Sequence, residues 1–216
     1  MGKSDPYIFN FYLKSFPIHS VYDEAAFFGQ SRDNGFTSLI KCRNKNYYDL
    51  SIKNWNINSF PYKIEKDKKF DLIVCTRCAY FSKNPKKMIE SFSSILKEDG
   101  ILFIDWGLGD HWRFKEYAVG WKKGNQHEWA YEEGNFLWSS VWEESFLKNN
   151  QVELFFNHIR KLGYNDLSLS VIEEVPEIIS LEEIEDCGLS IENKDFLFLW
   201  PDKPQLYIKL ILKKSS

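Results

Sequence analysis

Three side chains in the stretch "ILFIDWGLGDHW", Asp105, Asp110 and His111, are of the types that proton transfer requires. An imidazole titrates near neutrality and can take a proton from an acceptor hydroxyl or amine. A carboxylate close by can do the same work. These three are the expected catalytic residues. Two carboxylates and an imidazole also match the ligand preferences of a divalent cation, although no metal is assigned. The bland alternative is a turn, with Asp110 capping the next segment and His111 exposed. Asp105 ends an apolar run, so its charge needs a partner or a ligand.

The flanking residues Trp106, Trp112 and Arg113 are the expected substrate contacts. Trp106, Trp112, Trp121, Trp129, Trp138 and Trp142 crowd one part of the chain. Indole faces suit a planar or sugar-like ligand, and they equally suit an aromatic core beneath a long excursion. Thr76 and Arg77 follow the apolar run "FDLIVC". Arg77 can hold a carboxylate or phosphate through two hydrogen bonds, or form a structural ion pair. Cys75 and Cys78 make a C-x-x-C, but the next helix starts near position 85. A lowered thiol pKa at a helix N-terminus is therefore not expected, and no second paired motif supplies zinc ligands.

The elements that would position these groups are clearest between 70 and 105. "FDLIVC" (70–75) and "ILFID" (101–105) are short apolar runs, as expected for strands buried on both faces. Between them Asn84 and Pro85 open a helix. Met88, Ile89, Phe92, Ile95 and Leu96 share one face of it, and Gly100 of "KEDG" is the expected left-handed stop. This is the size of a parallel, right-handed βαβ unit. Downstream, Asn150 and Glu153 open a helix that closes at Gly163. Ser180 and Glu183 form a capping box for "LEEIEDC", which Gly188 stops. The segments 195–200 and 206–212 form an antiparallel hairpin. Residues 106–145 form a Trp-rich cap on a single domain spanning 1–216.

Composition restricts the function classes. The 216 residues carry 44% hydrophobic and 27% charged side chains, a globular balance. A net charge of −3 supplies no basic excess for a phosphate backbone, so nucleic-acid binding is not expected. No apolar run approaches the ~20 residues of a membrane helix, and no secretory leader is evident. Four cysteines form no disulfide framework, and a cytoplasmic setting is expected. The expected partner is a small-molecule substrate.

The pattern "FDLIVC…NPKKMIESFSSILKEDGILFID", with the closing "LEEIEDCGLSIENKDFLFLW…QLYIKLILKK", resembles class I S-adenosylmethionine-dependent methyltransferases of the small-molecule, type 11 kind. The resemblance implies a three-layer, mostly parallel Rossmann-like sheet of the seven-stranded type, ending in an antiparallel hairpin. It further implies S-adenosylmethionine as cofactor and a small acceptor, a sugar or metabolite hydroxyl. The first half departs from that pattern. With a first strand at "IHSVYD" (18–23) and a short helix over "EAAFFGQSRDNG", Asp23 matches the family's acid, but Glu24, Ala25 and Ala26 stand where the family has glycines, and only Gly29 is nearby. A second strand at 36–42 ends in Cys42 and Arg43 rather than an acid for the ribose. A third strand at 46–52 places Asp49 toward the adenine. The cofactor residues are then Asp23, Glu24, Asp49, Thr76 and Arg77, with neither glycine-rich loop nor ribose acid visible. The competing class is a methyltransferase-like domain that binds a ligand or protein without catalysis.

Overall fold

Among the described residues, six strands hydrogen-bond in the order β2-β1-β3-β4-β8-β7. They are β1 (Val21–Phe28), β2 (Lys41–Tyr48), β3 (Phe70–Cys75), β4 (Leu96–Leu108), β7 (Leu189–Leu199) and β8 (Gln205–Lys214). The computed structural model describes residues 5–65, 68–79, 82, 84–108, 113–114, 117–118, 179–199 and 205–215. Within 109–145 these include only the two-residue strands β5 (Arg113–Phe114) and β6 (Tyr117–Ala118). The rest of the expected cap and the helix expected over 150–163 lie outside the described residues.

The central unit matches its sequence. β3 pairs parallel with β4, and β1 pairs parallel with both β2 and β3. Helix α3 (Pro85–Ile95) is capped by Asn84, whose Oδ1 accepts from Lys87 N at 2.9 Å. The capping box at Ser180 and Glu183 opens α4 (Leu181–Asp186), and Gly188 follows with φ 70°. β8 runs antiparallel between β4 and β7. The "KEDG" expectation needs correcting. Helix α3 ends at Ile95, and Leu96 already begins β4. The left-handed residue is Asp99 (φ 60°), and the register with β3 shifts between Phe70 and Leu72. The segment is therefore a strand irregularity rather than a helix stop.

The first half differs more. "EAAFF" is not helical: it is the buried end of β1, whose Ala25, Ala26, Phe27 and Phe28 are fully buried. A short apolar run carries no helical or strand period of its own, and burial between two neighbouring strands decides it. β2 joins residues expected to belong to two different strands. No third strand exists at 46–52, because Tyr48 ends β2 and Leu50–Lys53 form the short helix α2. Between β1 and β2 the only helical piece is a 3-10 turn at Thr37–Leu39.

Helix α1 (Asp5–Leu13) and the 29–40 loop cover one face, where Tyr12, Phe16, Phe36 and Phe103 pack together. Helices α3 and α4 and the 54–65 segment cover the other, around Phe28, Trp55, Tyr62 and Phe92. Phe92 sits 4.9 Å, ring to ring, from both Phe28 and Tyr62. At the amino edge, Asp71 accepts from Glu24 N at 2.8 Å and from Lys97 Nζ at 2.9 Å. Burial alone would raise its carboxyl. The bonds from Glu24 N and Lys97 outweigh that and hold it below the usual range.

Two outcomes follow from this packing. Phe92→Ala should lower stability by about 3–5 kcal/mol, measured by urea denaturation. A carboxyl lowered by folding stabilises at pH above its unfolded value, and that contribution is lost as pH falls through the lower, folded value. Asp71→Asn should therefore flatten the acid limb of the stability profile below about pH 4 and leave the neutral plateau the same shape.

Candidate functional site

The parallel pairings bring Phe28, Tyr48, Cys75 and Ile104 into one row across β1, β2, β3 and β4. The next residue of each strand, Gly29, Asp49, Thr76 and Asp105, therefore lies at the carboxyl edge, where open α/β sheets hold ligands. This row is the candidate site.

Gly29 turns the chain out of β1 with φ 76°, and its N–H donates to Tyr48 O at 2.8 Å. A Cβ there would lie 2.4 Å from Cys78 Cβ, so only glycine fits. The loop that follows is organised by Asn34, whose Oδ1 accepts from both Phe36 N and Thr37 N at 2.9 Å. Asn34 Nδ2 donates to Gln30 Oε1 at 3.0 Å. Gln30 Nε2 is buried with no partner among the described residues.

Asp49 is partly buried and caps α2 with one oxygen: Oδ1 accepts from Ser51 N at 2.9 Å and Ser51 Oγ at 2.5 Å. Asp105 is fully buried. Its Oδ2 accepts from Tyr12 OH at 2.5 Å and its Oδ1 from Arg77 N at 2.6 Å. Burial, and then the Asp105 carboxylate, push the Tyr12 phenol well above its ordinary value, so Tyr12 remains the donor. Lys209, the cross-strand partner of Asp105, is buried too. Its Nζ donates to Phe11 O at 3.0 Å and lies 3.7 Å from Asp195, and burial pulls its pKa down. Burial, then contact with Cys78, raises the Cys75 thiol, so Cys75 favours the thiol form.

Of the residues singled out in the sequence, Asp49, Thr76, Arg77 and Asp105 come together. Asp23 and Glu24 do not join them, because β1 ends at Phe28 instead of residue 23. They lie roughly 17–20 Å from the carboxyl edge at about 3.3 Å per strand residue. Asp23 pairs with Arg43 at 3.2 Å, and Glu24 accepts from Asn44 Nδ2 at 2.6 Å. Trp106 is fully buried in β4, and its Nε1 has no partner among the described residues. Asp110, His111 and Trp112 lie outside the described residues, and Arg113 is placed only as a member of β5. Gly29, Tyr12 and Lys209 were not singled out. Gly29 carried a readable signal, as the glycine directly after an apolar run. Tyr12 and Lys209 carried none, since their partners lie far off in the chain.

No protein-family model and no curated protein matches the chain. Solved structures do match. One is the N-methyltransferase NodS from Bradyrhizobium japonicum WM9 in complex with S-adenosyl-L-homocysteine. It has a TM-score of 0.51 and 11% identity, over 100% of this chain and 89% of that one. Another, from Listeria monocytogenes and assigned to the S-adenosylmethionine-dependent methyltransferases, has a TM-score of 0.53 and 10% identity, over 96% of each chain. At such identities the likeness concerns the fold.

The contacts around the edge give a stability test. Tyr12→Phe removes the donor to a buried carboxylate oxygen and should cost about 1–3 kcal/mol in urea denaturation. Gly29→Ala should be at least as damaging. Pairing it with Cys78→Gly should restore part of the loss, because the clash disappears while the backbone strain of about 1 kcal/mol remains.

Proposed function

We propose, from a chain that has the fold of class I S-adenosylmethionine-dependent methyltransferases, that it binds S-adenosylmethionine along the carboxyl edge and methylates a small molecule. The observation that carries this reading is the parallel pairing of Phe28 with Tyr48, which sets Gly29 and Asp49 side by side at the ends of the first two strands. With β2 ending at Tyr48, Asp49 directly follows the second strand, and its proposed role is the acid for the ribose hydroxyls in place of the adenine contact expected from the sequence.

The residues present fit such a ligand. Asp49 keeps Oδ2 clear of its capping bonds, and a carboxylate there can accept from vicinal ribose hydroxyls. Gln30 Nε2 is a buried donor in need of an acceptor. Thr76 and the backbone at Arg77 border the same edge. When bound, the cofactor supplies an electrophilic methyl group. The protein's part is to hold the acceptor in line and to take its proton. Asp110 and His111 are the proposed proton acceptors, with Trp112 and Arg113 on the substrate side. Asp105 has both oxygens engaged, and its proposed role is to hold the loop after β3 in place. No helix among the described residues is long and apolar enough to cross a membrane, which accords with the proposed cytoplasmic setting.

A second reading, ligand binding without transfer, rests on the same edge. Cys78 fills the space beside Gly29, and the β1–β2 connection offers only a 3-10 turn instead of a helix N-terminus.

Calorimetric titration with S-adenosylmethionine and S-adenosylhomocysteine tests both readings. Binding at micromolar or weaker affinity is expected. Asp49→Asn keeps an N-cap acceptor but loses the charge, so affinity should fall about 10–100-fold, as for a charged hydrogen bond worth ~1.5–3 kcal/mol. If neither ligand binds near millimolar concentration, the proposed cofactor site fails and the second reading stands.

A further inference from the structure

Two buried polar side chains on neighbouring strands hold helix α1 against the sheet. Asp105 on β4 and Lys209 on β8 stand opposite each other, and both are fully buried. Asp105 Oδ2 takes the Tyr12 hydroxyl at 2.5 Å. Lys209 Nζ donates to the Phe11 carbonyl at 3.0 Å and to Ser15 Oγ at 3.3 Å. It also lies 4.1 Å from the centre of the Phe11 ring. The Tyr12 ring packs on Phe36 and Phe103, at 5.1 and 5.5 Å between ring centres. The last turn of α1 is thus clamped, with the Tyr12 hydroxyl aimed at Asp105.

From Asp105 the contacts lead to the carboxyl edge. Its Oδ1 accepts from Arg77 N at 2.6 Å. Arg77 is left-handed, with φ 55°. A non-glycine residue stays in that conformation only where its surroundings hold it. The same turn brings Cys78 onto Gly29, where a Cβ would meet Cys78 Cβ at 2.4 Å. Gly29 N in turn donates at 2.8 Å to the carbonyl of Tyr48, the residue before Asp49. Every contact in this series is short or sterically tight, so a displacement of Asp105 is passed on instead of absorbed. Without the Tyr12 hydroxyl a buried carboxylate has one donor fewer, and it turns toward others within reach.

We propose that Tyr12 is a positioning residue for the carboxyl edge. Acting through Asp105 and Arg77, it sets where Thr76, Cys78 and Gly29 stand, so the docking of α1 governs how tightly a ligand is held there. Ligand placement is sensitive to shifts of about 1 Å. The effect on affinity rests on the reading of this edge as a cofactor site.

The test compares Tyr12→Phe, which keeps the ring and removes the hydroxyl, with Ile184→Ala. Ile184 is buried in α4 on the opposite face, so its truncation costs stability alone. The readouts are the NMR signals of the Arg77, Cys78 and Gly29 amides and titration with S-adenosylhomocysteine. In Tyr12→Phe all three signals should move, and the ligand should bind about three- to tenfold more weakly. In Ile184→Ala the signals should stay in place, with affinity within about twofold of wild type. A Gly29 signal that does not move in Tyr12→Phe, or that moves equally in Ile184→Ala, overturns the proposal. So does an unchanged affinity in Tyr12→Phe. If the wild-type protein binds no S-adenosylhomocysteine, the cofactor reading fails, and the amide signals alone decide whether Tyr12 positions the edge.

Discussion

A single buried carboxylate ties together the parts of this protein that are distant in sequence. Asp105 sits inside the sheet on β4, takes a hydrogen bond from Tyr12 on α1, and takes another from the backbone of Arg77 after β3. An ionised group in that position is tolerable only if its lone pairs are met, so the structure around it is constrained. Helix α1 must dock where Tyr12 reaches, and the chain leaving β3 must turn back through the left-handed Arg77, with φ 55°. Lys209 completes the arrangement from the neighbouring strand by donating to the carbonyl of Phe11, near the end of the same helix. A cation at that end is also favoured by the helix dipole.

The consequence reaches the carboxyl edge. Because Arg77 is pinned, Cys78 is brought over Gly29, and the β1 exit and the β3 exit pack against one another. The edge is thus pre-shaped by contacts within the chain, with Asp49 beside Gly29 at the ends of β2 and β1. An edge held in this way suits ligand positioning more than large motions. It also leaves less open space beside Gly29 than a free glycine-rich loop would.

The connections in the first half are cut short. With only a 3-10 turn between β1 and β2, and an irregular segment after α2, no helix among the described residues covers the flank of β2. Aromatic rings from 48 to 62 do that work, with Phe28 stacked on Tyr48 at 4.6 Å and Tyr62 set edge-on to Trp55 at 5.3 Å. Bulky rings fill such a gap imperfectly, and among the described residues the Tyr48 phenol and the Trp55 indole are left buried without a hydrogen-bond partner.

How much of this was legible varies along the chain. From 70 to 105 each segment except "KEDG", which lies in β4 instead of ending the helix, states its own type: two apolar runs, a capped amphipathic helix and a capping box downstream act through neighbours only a few residues away. Those local signals were enough to determine the parallel unit, the terminal hairpin and the positions of Thr76 and Asp105. "EAAFF" and "KCRNKNYY" state nothing comparable, since a fully buried run and a polar edge strand both lack a period. There the pairing partner decided the outcome. Docking of β1 against β3 moved the first strand end from Asp23 to Phe28, and the pairing of β2 with β1 made Asp49 the acid at its end. The role of Asp105 as an anchor, and the identity of Tyr12 and Lys209 as its companions, were likewise decided only in three dimensions. A buried charge is stabilised by whichever donors the fold brings to it, and here they are the Tyr12 hydroxyl and the backbone of Arg77, both far from Asp105 in the chain.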